Sequence, residues 1–301
     1  MTRDHQNSSA VIMVALTKFC GFGPRMISAL LQRFGEPAEI LNASEDALMK
    51  IDGLTTEQAD QICTAGDVID QATEYCQSLK QRDVIISTRL DDGYPEGLYE
   101  LNDPPPLLFV RGRLPDGANK SVAVVGADEA TGEGIDLTVT LAQRCAEAGV
   151  QIVSSLRRGI DAAAHLGAKA GEGVSFAVLD GGLDHIDLVE QMPLAIDITR
   201  AGGVLSEFPP ETEPTDKAFS VSNRVLVGLA QAVVVTEVYG NSKATLDLLT
   251  FCNETGKLAF VLIDPKNGAL SDETSLSEAV RFGAIPMVGL DKIEDIIKSL
   301  V

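Results

Sequence analysis

Tryptophan is absent from this chain, and aromatic residues make up only 5% of it. A protein so poor in flat side chains has little means of stacking nucleobases, so a bound nucleic acid would have to be held mainly through its phosphates. Positive charge is scarce as well: 24 Lys and Arg stand against 44 Asp and Glu, a formal net charge of −20. Such a field opposes general attraction to nucleic acid or anionic lipid, and any polyanion must find a local basic patch. Solubility and halophilic adaptation account for the acidity equally well.

The five cysteines (Cys20, Cys63, Cys76, Cys145 and Cys252) form no C-x-x-C pair. They support neither a disulfide framework nor a zinc site, and most read as small buried apolar residues. His5, His165 and His185 are far apart, and Asp184-His185-Ile186-Asp187 is too short a stretch for its side chains to converge on one ion. No metal or other cofactor is expected. No apolar run approaches membrane-spanning length. Ala10-Val-Ile-Met-Val-Ala-Leu16 is short, is preceded by little basic charge beyond Arg3, and leads into Lys18 without a small-residue cleavage site. The expectation is a mature cytoplasmic protein with no membrane partner.

Residues 1–85 read as a helical domain. Apolar residues recur at helical spacing in Met26-Ile27, Leu30-Leu31 and Phe34, and Gly35 and Pro37 close that segment. Phe19-Cys-Gly21-Phe-Gly23-Pro24 and Ile51-Asp-Gly53-Leu54 each have the shape of a helix-hairpin-helix turn, whose outward N–H groups can meet a phosphate backbone. With seven basic and twelve acidic side chains over residues 1–85, packing or protein contact is the favoured role there. The stretch from Asp91 through Pro106 is turn-rich and extended, a linker or wrapping arm into the main domain.

From Lys120 onward, short β-branched runs alternate with helical segments. Strands are expected at Ser121–Val125, Gln151–Val153, Val174–Leu179, Gly203–Leu205, Ala232–Thr236 and Leu258–Ile263. Helices are expected near 131–148, 159–171, 187–201, 221–230 and 243–255, with a short terminal helix at Leu290–Val301. Continuously apolar strands alternating with helices predict an α/β fold with a doubly wound, mainly parallel, Rossmann-like sheet. The expected organisation is a helical domain over 1–85, the Rossmann-like core over 86–290 and a terminal helix over 291–301.

Ligands of such sheets bind beyond the carboxyl ends of the strands, so the loops there carry the chemistry. The chain has no G-x-x-x-x-G-K-[ST], and the loop after the first strand, Gly126 to Gly134, is not G-x-G-x-x-G. Its Asp128, Glu129 and Glu133 would repel a phosphate, although acids at a helix start also serve the helix dipole. The loop after the second strand brings Ser154, Ser155, Arg157, Arg158 and Gly159 to a helix start, the composition of a phosphate cradle unless Asp161 neutralises one of the arginines. Later loops offer Asn223 and Arg224, read as lying near a helix start, then Tyr239, Ser242 and Lys243. Four cations, Arg157, Arg158, Arg224 and Lys243, are thereby expected along one edge of the sheet, which points to an anionic ligand.

Several of these stretches together resemble the DprA/Smf family. They are Val122-Ala-Val-Val-Gly126, Ser154–Asp161 with Ala164-His165, Gly182-Leu-Asp184, Leu205-Ser-Glu207 with Pro209, Asn223-Arg224 with Gly228-Leu229, and Glu237. The lead-in Tyr94-Pro95, Leu98 and Leu101 to Pro105 matches too. The resemblance covers most of the chain. It implies a non-catalytic protein that binds single-stranded DNA and delivers it to the RecA recombinase during transformation, with homodimerisation possible in principle. It places Gly126, Ser154, Arg158, Asn223, Arg224 and Ser242 against the DNA; Ser155, Arg157 and Lys243 join them on chemical grounds. Four departures stand out. The family's Gly-Ser-Arg is Gly126-Ala127-Asp128, its Ser-Gly-Leu-Ala-Arg is Ser154-Ser155-Leu156-Arg157-Arg158, the arginine before Asn-Arg is Ser222, and the glycine of a Ser-Gly-Ser turn is Lys243. The family's late Ser-x-Gly-x-Asn-type loop is represented only by Ser271-Asp-Glu-Thr-Ser275. Two other readings stand beside this one. A small-nucleotide sensor or processing enzyme would have Glu207 and Glu237 as its acid–base candidates, and a protein-interaction scaffold would have a decayed site.

Overall fold

The computed structural model describes residues 8–117, 119–186, 190–238, 243–264, 268–269, 271–290, 293 and 296. The chain divides into two compact units, one of residues 1–94 and 102–110, the other of residues 95–101 and 111–301.

The first unit is built from α1 (Ser9–Val14), α2 (Pro24–Phe34), α3 (Pro37–Leu41), α4 (Glu45–Leu48), α5 (Thr56–Cys63) and α6 (Gly66–Gln81). The apolar stretch Ala10–Leu16 supplies its core: Val11 to Leu16 are all buried. There α1 widens into a π-helical turn over Ala15–Phe19. The two glycine turns are present, and Gly21 (φ 73°) and Gly53 (φ 82°) both take the left-handed backbone that favours glycine. Pro24 then opens α2 at its first position, where its missing N–H costs nothing. Thr55 and Gln58 form a reciprocal capping box at the start of α5.

Sequence reading took residues 91–106 as an extended arm and named no strand beside it. In the structure β1 (Ile85–Thr88) pairs antiparallel with β2 (Leu107–Gly112). The Asp91 carboxylate accepts from the Thr88 amide at 2.7 Å, and the Tyr94 hydroxyl donates to the Pro105 carbonyl at 2.7 Å. Those bonds tie the proline-rich segment down.

The second unit is the doubly wound sheet. Its elements in order are β3 (Ser121–Val125), α7 (Gly132–Glu147), β4 (Gln151–Ser155), α8 (Ile160–Ala170), β5 (Ser175–Val178), α9 (Met192–Ala201) and β6 (Gly203–Ser206). There follow α10 (Asp216–Leu229), β7 (Ala232–Val235), α11 (Lys243–Thr255), β8 (Leu258–Asp264), the two-residue β9 (Gly268–Ala269), α12 (Glu273–Arg281) and β10 (Ile285–Val288). The strands lie side by side as β6-β5-β4-β3-β7-β8-β10, all parallel, with β9 antiparallel to β8. All six expected strands are there; α12 and β10 were not anticipated. Most of the terminal helix expected at Leu290–Val301 lies outside the described residues.

From β3 the chain winds outward through β4, β5 and β6, then returns to the other side of β3 as β7. The strand order therefore reverses beside β3, and the crevice at the carboxyl ends of β3, β4 and β7 is where such a sheet accepts a ligand. Continuous burial of the central strands explains their apolar runs: Val122, Ala123, Val124, Ile152, Val153, Val233 and Val235 are inaccessible to solvent or nearly so.

Candidate functional site

Three loops are stitched together at that crevice by their backbones. The Ala127 amide donates to the Glu237 carbonyl at 2.7 Å, and the Ile160 amide donates to the Ala127 carbonyl at 3.1 Å. Gly159 makes this approach possible. Its φ is 69°, and a Cβ there would lie 2.2 Å from the Ala127 oxygen. Gly126 is constrained in the same way, since a Cβ would fall 2.6 Å from the Glu237 carbonyl oxygen.

Above this floor is a cavity of about 340 Å³, within the range of small-ligand sites. Gly126, Ser155, Asp161 and Asn223 contribute its polar surface, and Phe219, Leu226 and Leu248 its apolar walls; Asp128, Glu129 and Arg157 also line it. Asp161 is buried and held by two donors, the Gly126 amide at 3.2 Å and the Ser155 hydroxyl. Burial pushes its carboxyl up to about 7, against the pull of the Ser155 hydrogen bond. His165, one helical turn further on, bonds the Ser155 carbonyl through Nε2 at 2.8 Å. Burial drives its imidazole down to about 4, so it is neutral at pH 7.

The start of α7 is already filled by an anion of the chain itself. The buried Glu237 carboxylate accepts from the Thr131 amide at 3.1 and 3.2 Å and from the Thr131 hydroxyl at 3.2 Å. Gly134 leaves the room for it: a Cβ there would sit 1.8 Å from Glu237 Oε2. A carboxylate at a helix N-terminus is favoured by the same amides and dipole that would otherwise attract a phosphate.

The expected site residues separate into groups. Gly126, Ser155, Arg157 and Asn223 all line the cavity. The Asn223 side-chain amide also donates to the Ala244 carbonyl at 3.2 Å. Arg158 is exposed, with its side chain 68% accessible, and Glu190 approaches it at 3.6 Å. Lys243 is exposed at the first residue of α11, beside Ala244 and Thr245 of the cavity wall. Ser242 and Tyr239 lie outside the described residues.

Two expectations are corrected. Ser154 does not face the crevice; it is fully buried and its hydroxyl donates to the Val124 carbonyl at 2.6 Å. The cause is strand alternation, because β4 continues through Ser155 and successive side chains point to opposite faces. Arg224 is not a free cation on the sheet edge. Helix α10 begins at Asp216, capped by Thr215, rather than near 221. Arg224 is therefore in its third turn and buried, ion-paired at 2.6 Å with Glu207, whose side chain is only 6% exposed.

Arg157 answers to three neighbours. Its guanidinium meets the Asp128 carboxylate at 2.5 Å, approaches Asp180 at 3.8 Å, and lies over the Phe219 ring at 4.2 Å from the centroid. Sequence reading gave Asp161 as the acid that might neutralise an arginine of this loop. Its hydrogen bonds go to Ser155 and Gly126 instead. Sequence reading gave Phe219 no role, since it set the helix at 221–230 and left this residue in the loop before it; in α10 it lies in the first turn.

An open parallel sheet with a lined cavity at its switch point defines a Rossmann-type ligand-binding protein. Its family is settled by comparison: the model of DNA recombination-mediator protein A matches residues 85–300, and the chain belongs to that family. Residues 14–65 match the SAM-like helix-hairpin-helix tandem. Protein Smf of Synechocystis is 29% identical over 299 residues, covering 94% of this chain and 75% of that protein. DNA processing protein DprA of Streptococcus pneumoniae is 37% identical over 148 residues, 49% of this chain and 52% of that protein. The X-ray structure of the S. pneumoniae protein superposes with a TM-score of 0.78 at 25% identity, covering 95% of this chain and 97% of that one. A Helicobacter pylori DNA processing protein A, described for its single-stranded DNA binding mode, superposes at 0.60 with 23% identity, over 71% of this chain and 96% of that one. The homologues support a DNA-processing role in recombination. No helix among the described residues is long and apolar enough to cross a membrane.

Proposed function

We propose that this protein binds single-stranded DNA across the carboxyl ends of β3, β4 and β7 and hands it to a RecA-type recombinase in the cytoplasm. The observation that carries the reading is the cavity at the switch point, flanked along the chain by the exposed cations Arg158 and Lys243. Family membership supports DNA as the class of ligand. The role is binding rather than catalysis: Glu207 is spent on Arg224 and Glu237 on the start of α7, so neither acid–base candidate is poised to move a proton. Homodimerisation is part of the same proposal.

Anisotropy of a labelled single strand across a salt series tests it. Binding should weaken as salt rises, with a shallow slope of roughly −0.7 per phosphate neutralised, so only one to two units for two exposed cations. Absence of salt-sensitive binding at low ionic strength would overturn the reading, as would an Arg158→Ala/Lys243→Ala variant that binds as the parent does. The internal pairing of Arg157 favours a second reading, a free-nucleotide sensor. It predicts a saturable thermal shift with a mononucleotide and none with an oligonucleotide.

A further inference from the structure

We propose that His165 is a positioning residue of the strand site: from outside the crevice it fixes the loop Ser155–Gly159 that carries Arg157 and Arg158. The inference rests on the single-stranded DNA reading and adds what holds the arginines where the strand would meet them.

His165 is not among the residues lining the crevice. It is 1% exposed and lines a separate cavity of about 280 Å³, beside Lys169, Ser175 and Asp197. A carbonyl can only accept, so the bond to the Ser155 carbonyl puts the imidazole proton on Nε2 and leaves Nδ1 a bare acceptor. Nδ1 has no partner among the described residues. A buried acceptor without a donor weakens the fold, and an apolar side chain of similar size would avoid that loss. Packing alone therefore does not explain an imidazole at this position.

The strand end does explain it. Ser155 closes β4, and its hydroxyl donates to Asp161 while accepting from the Arg157 amide at 3.2 Å. Its carbonyl accepts from His165 at 2.8 Å. Asp161 and His165 stand one turn apart on the same face of α8, so a single helix grips Ser155 by side chain and backbone together. At the other end of the loop the Ile160 amide donates to the Ala127 carbonyl, and between the two ends Leu156 is buried. Both ends of the arginine loop are thereby fixed before any ligand arrives. Without the Nε2 proton donor, the peptide unit joining Ser155 to Leu156 gains freedom to turn and carries the arginines with it. Binding must then supply the ordering that the fold no longer does.

The test measures oligo(dT) binding by fluorescence anisotropy at low salt with the full chain, the folded fraction of each variant being fixed by urea denaturation. His165→Phe keeps a ring and removes the donor; affinity should fall about threefold to tenfold, the worth of one neutral hydrogen bond. His165→Gln returns an amide N–H near the place of Nε2 and should bind within about twofold of the parent. In an Arg158→Ala background the loss caused by His165→Phe should shrink, because the residue it positions is gone. A Phe variant that binds as the parent does overturns the proposal and leaves the single-stranded DNA reading standing. A Gln variant as weak as the Phe variant, or a loss undiminished in the Arg158→Ala background, overturns it too. Absence of oligo(dT) binding by the parent overturns the DNA reading itself. Should His165→Phe fail to fold, His165→Asn, whose amide ends one bond short of the Ser155 carbonyl, takes its place. In the parent at pH 7, ¹⁵N resonances of labelled histidine should report Nε2 protonated and Nδ1 bare; the opposite tautomer overturns the bond on which the proposal stands.

Discussion

Arg157 reaches from the loop after β4 to Asp128 in the loop after β3, and the two close to 2.5 Å at the mouth of the cavity. Relative to the DprA/Smf pattern, an anion replaces an arginine at 128 and an arginine replaces a small residue at 157. Both side chains are about one-third exposed, 34% and 39%, so the pair is screened and its coupling should be about 1 kcal/mol or less. A double-mutant cycle of Asp128→Ala and Arg157→Ala, followed by urea denaturation, measures it. A coupling several times larger would show that the pair behaves as a buried one.

Asp128→Ala alone should free the guanidinium for phosphate. The expected result is tighter binding of oligo(dT) and a salt dependence steeper by up to about one phosphate contact. Unchanged affinity and slope would mean that Asp180 and Phe219 hold Arg157 in place by themselves.

Glu207 and Arg224 form a different kind of pair, with side chains only 6% and 4% exposed. Arg224→Ala leaves a carboxylate buried without its counter-ion and should cost about 3–5 kcal/mol in chemical denaturation. Such a loss, with the affinity of the folded fraction for single strands unchanged, identifies Arg224 as a residue of the core.

Stability should respond to pH through Asp161 and His165 in opposite senses. Burial raises Asp161 from 3.8 to about 7, so its proton is held more tightly in the folded chain. The stability this confers is complete below about pH 4 and is lost as pH climbs to 7. Burial lowers His165 from 6.5 to about 4, so stability falls as pH drops through that window. The two slopes offset one another between about pH 4 and 6.5. Asp180, also raised by burial, leans the same way as Asp161. Asp161→Asn removes the falling contribution alone. The difference between variant and parent should therefore rise with pH by about 1.4 kcal/mol per unit across that window. A flat difference curve from denaturation at several pH values would refute the buried, protonatable carboxyl.

Much of the fold was legible because fully buried strands have to be apolar along their whole length: Val122 to Val125 and Ala232 to Val235 cannot be mistaken for helix starts. The β1–β2 pair was not legible, since Pro104 to Pro106 mark extended chain and conceal the strand that begins at Leu107. That Gly126 and Ser155 would line the crevice was readable from the glycine and hydroxyl at a strand end. Arg224 was misplaced because the Thr215 cap stands among prolines and acids, where it reads as loop, and a helix that starts five residues earlier puts the arginine in its buried third turn instead of at its start. The roles of Asp161 and Glu237 depend on contacts 35 and 106 residues away, to Gly126 and Thr131, and no local pattern reports those.

Gly134 cannot be enlarged while Glu237 stays in place. A methyl group on Gly134 would evict the carboxylate, at a cost of about 1–3 kcal/mol for overpacking and more for the acid left without donors. Shortening Glu237 while keeping Gly134 would instead leave the Thr131 amide to water, since Thr131 is an exposed residue. The protein thus carries a resident anion at the one helix terminus where its fold class most often holds a nucleotide's phosphate.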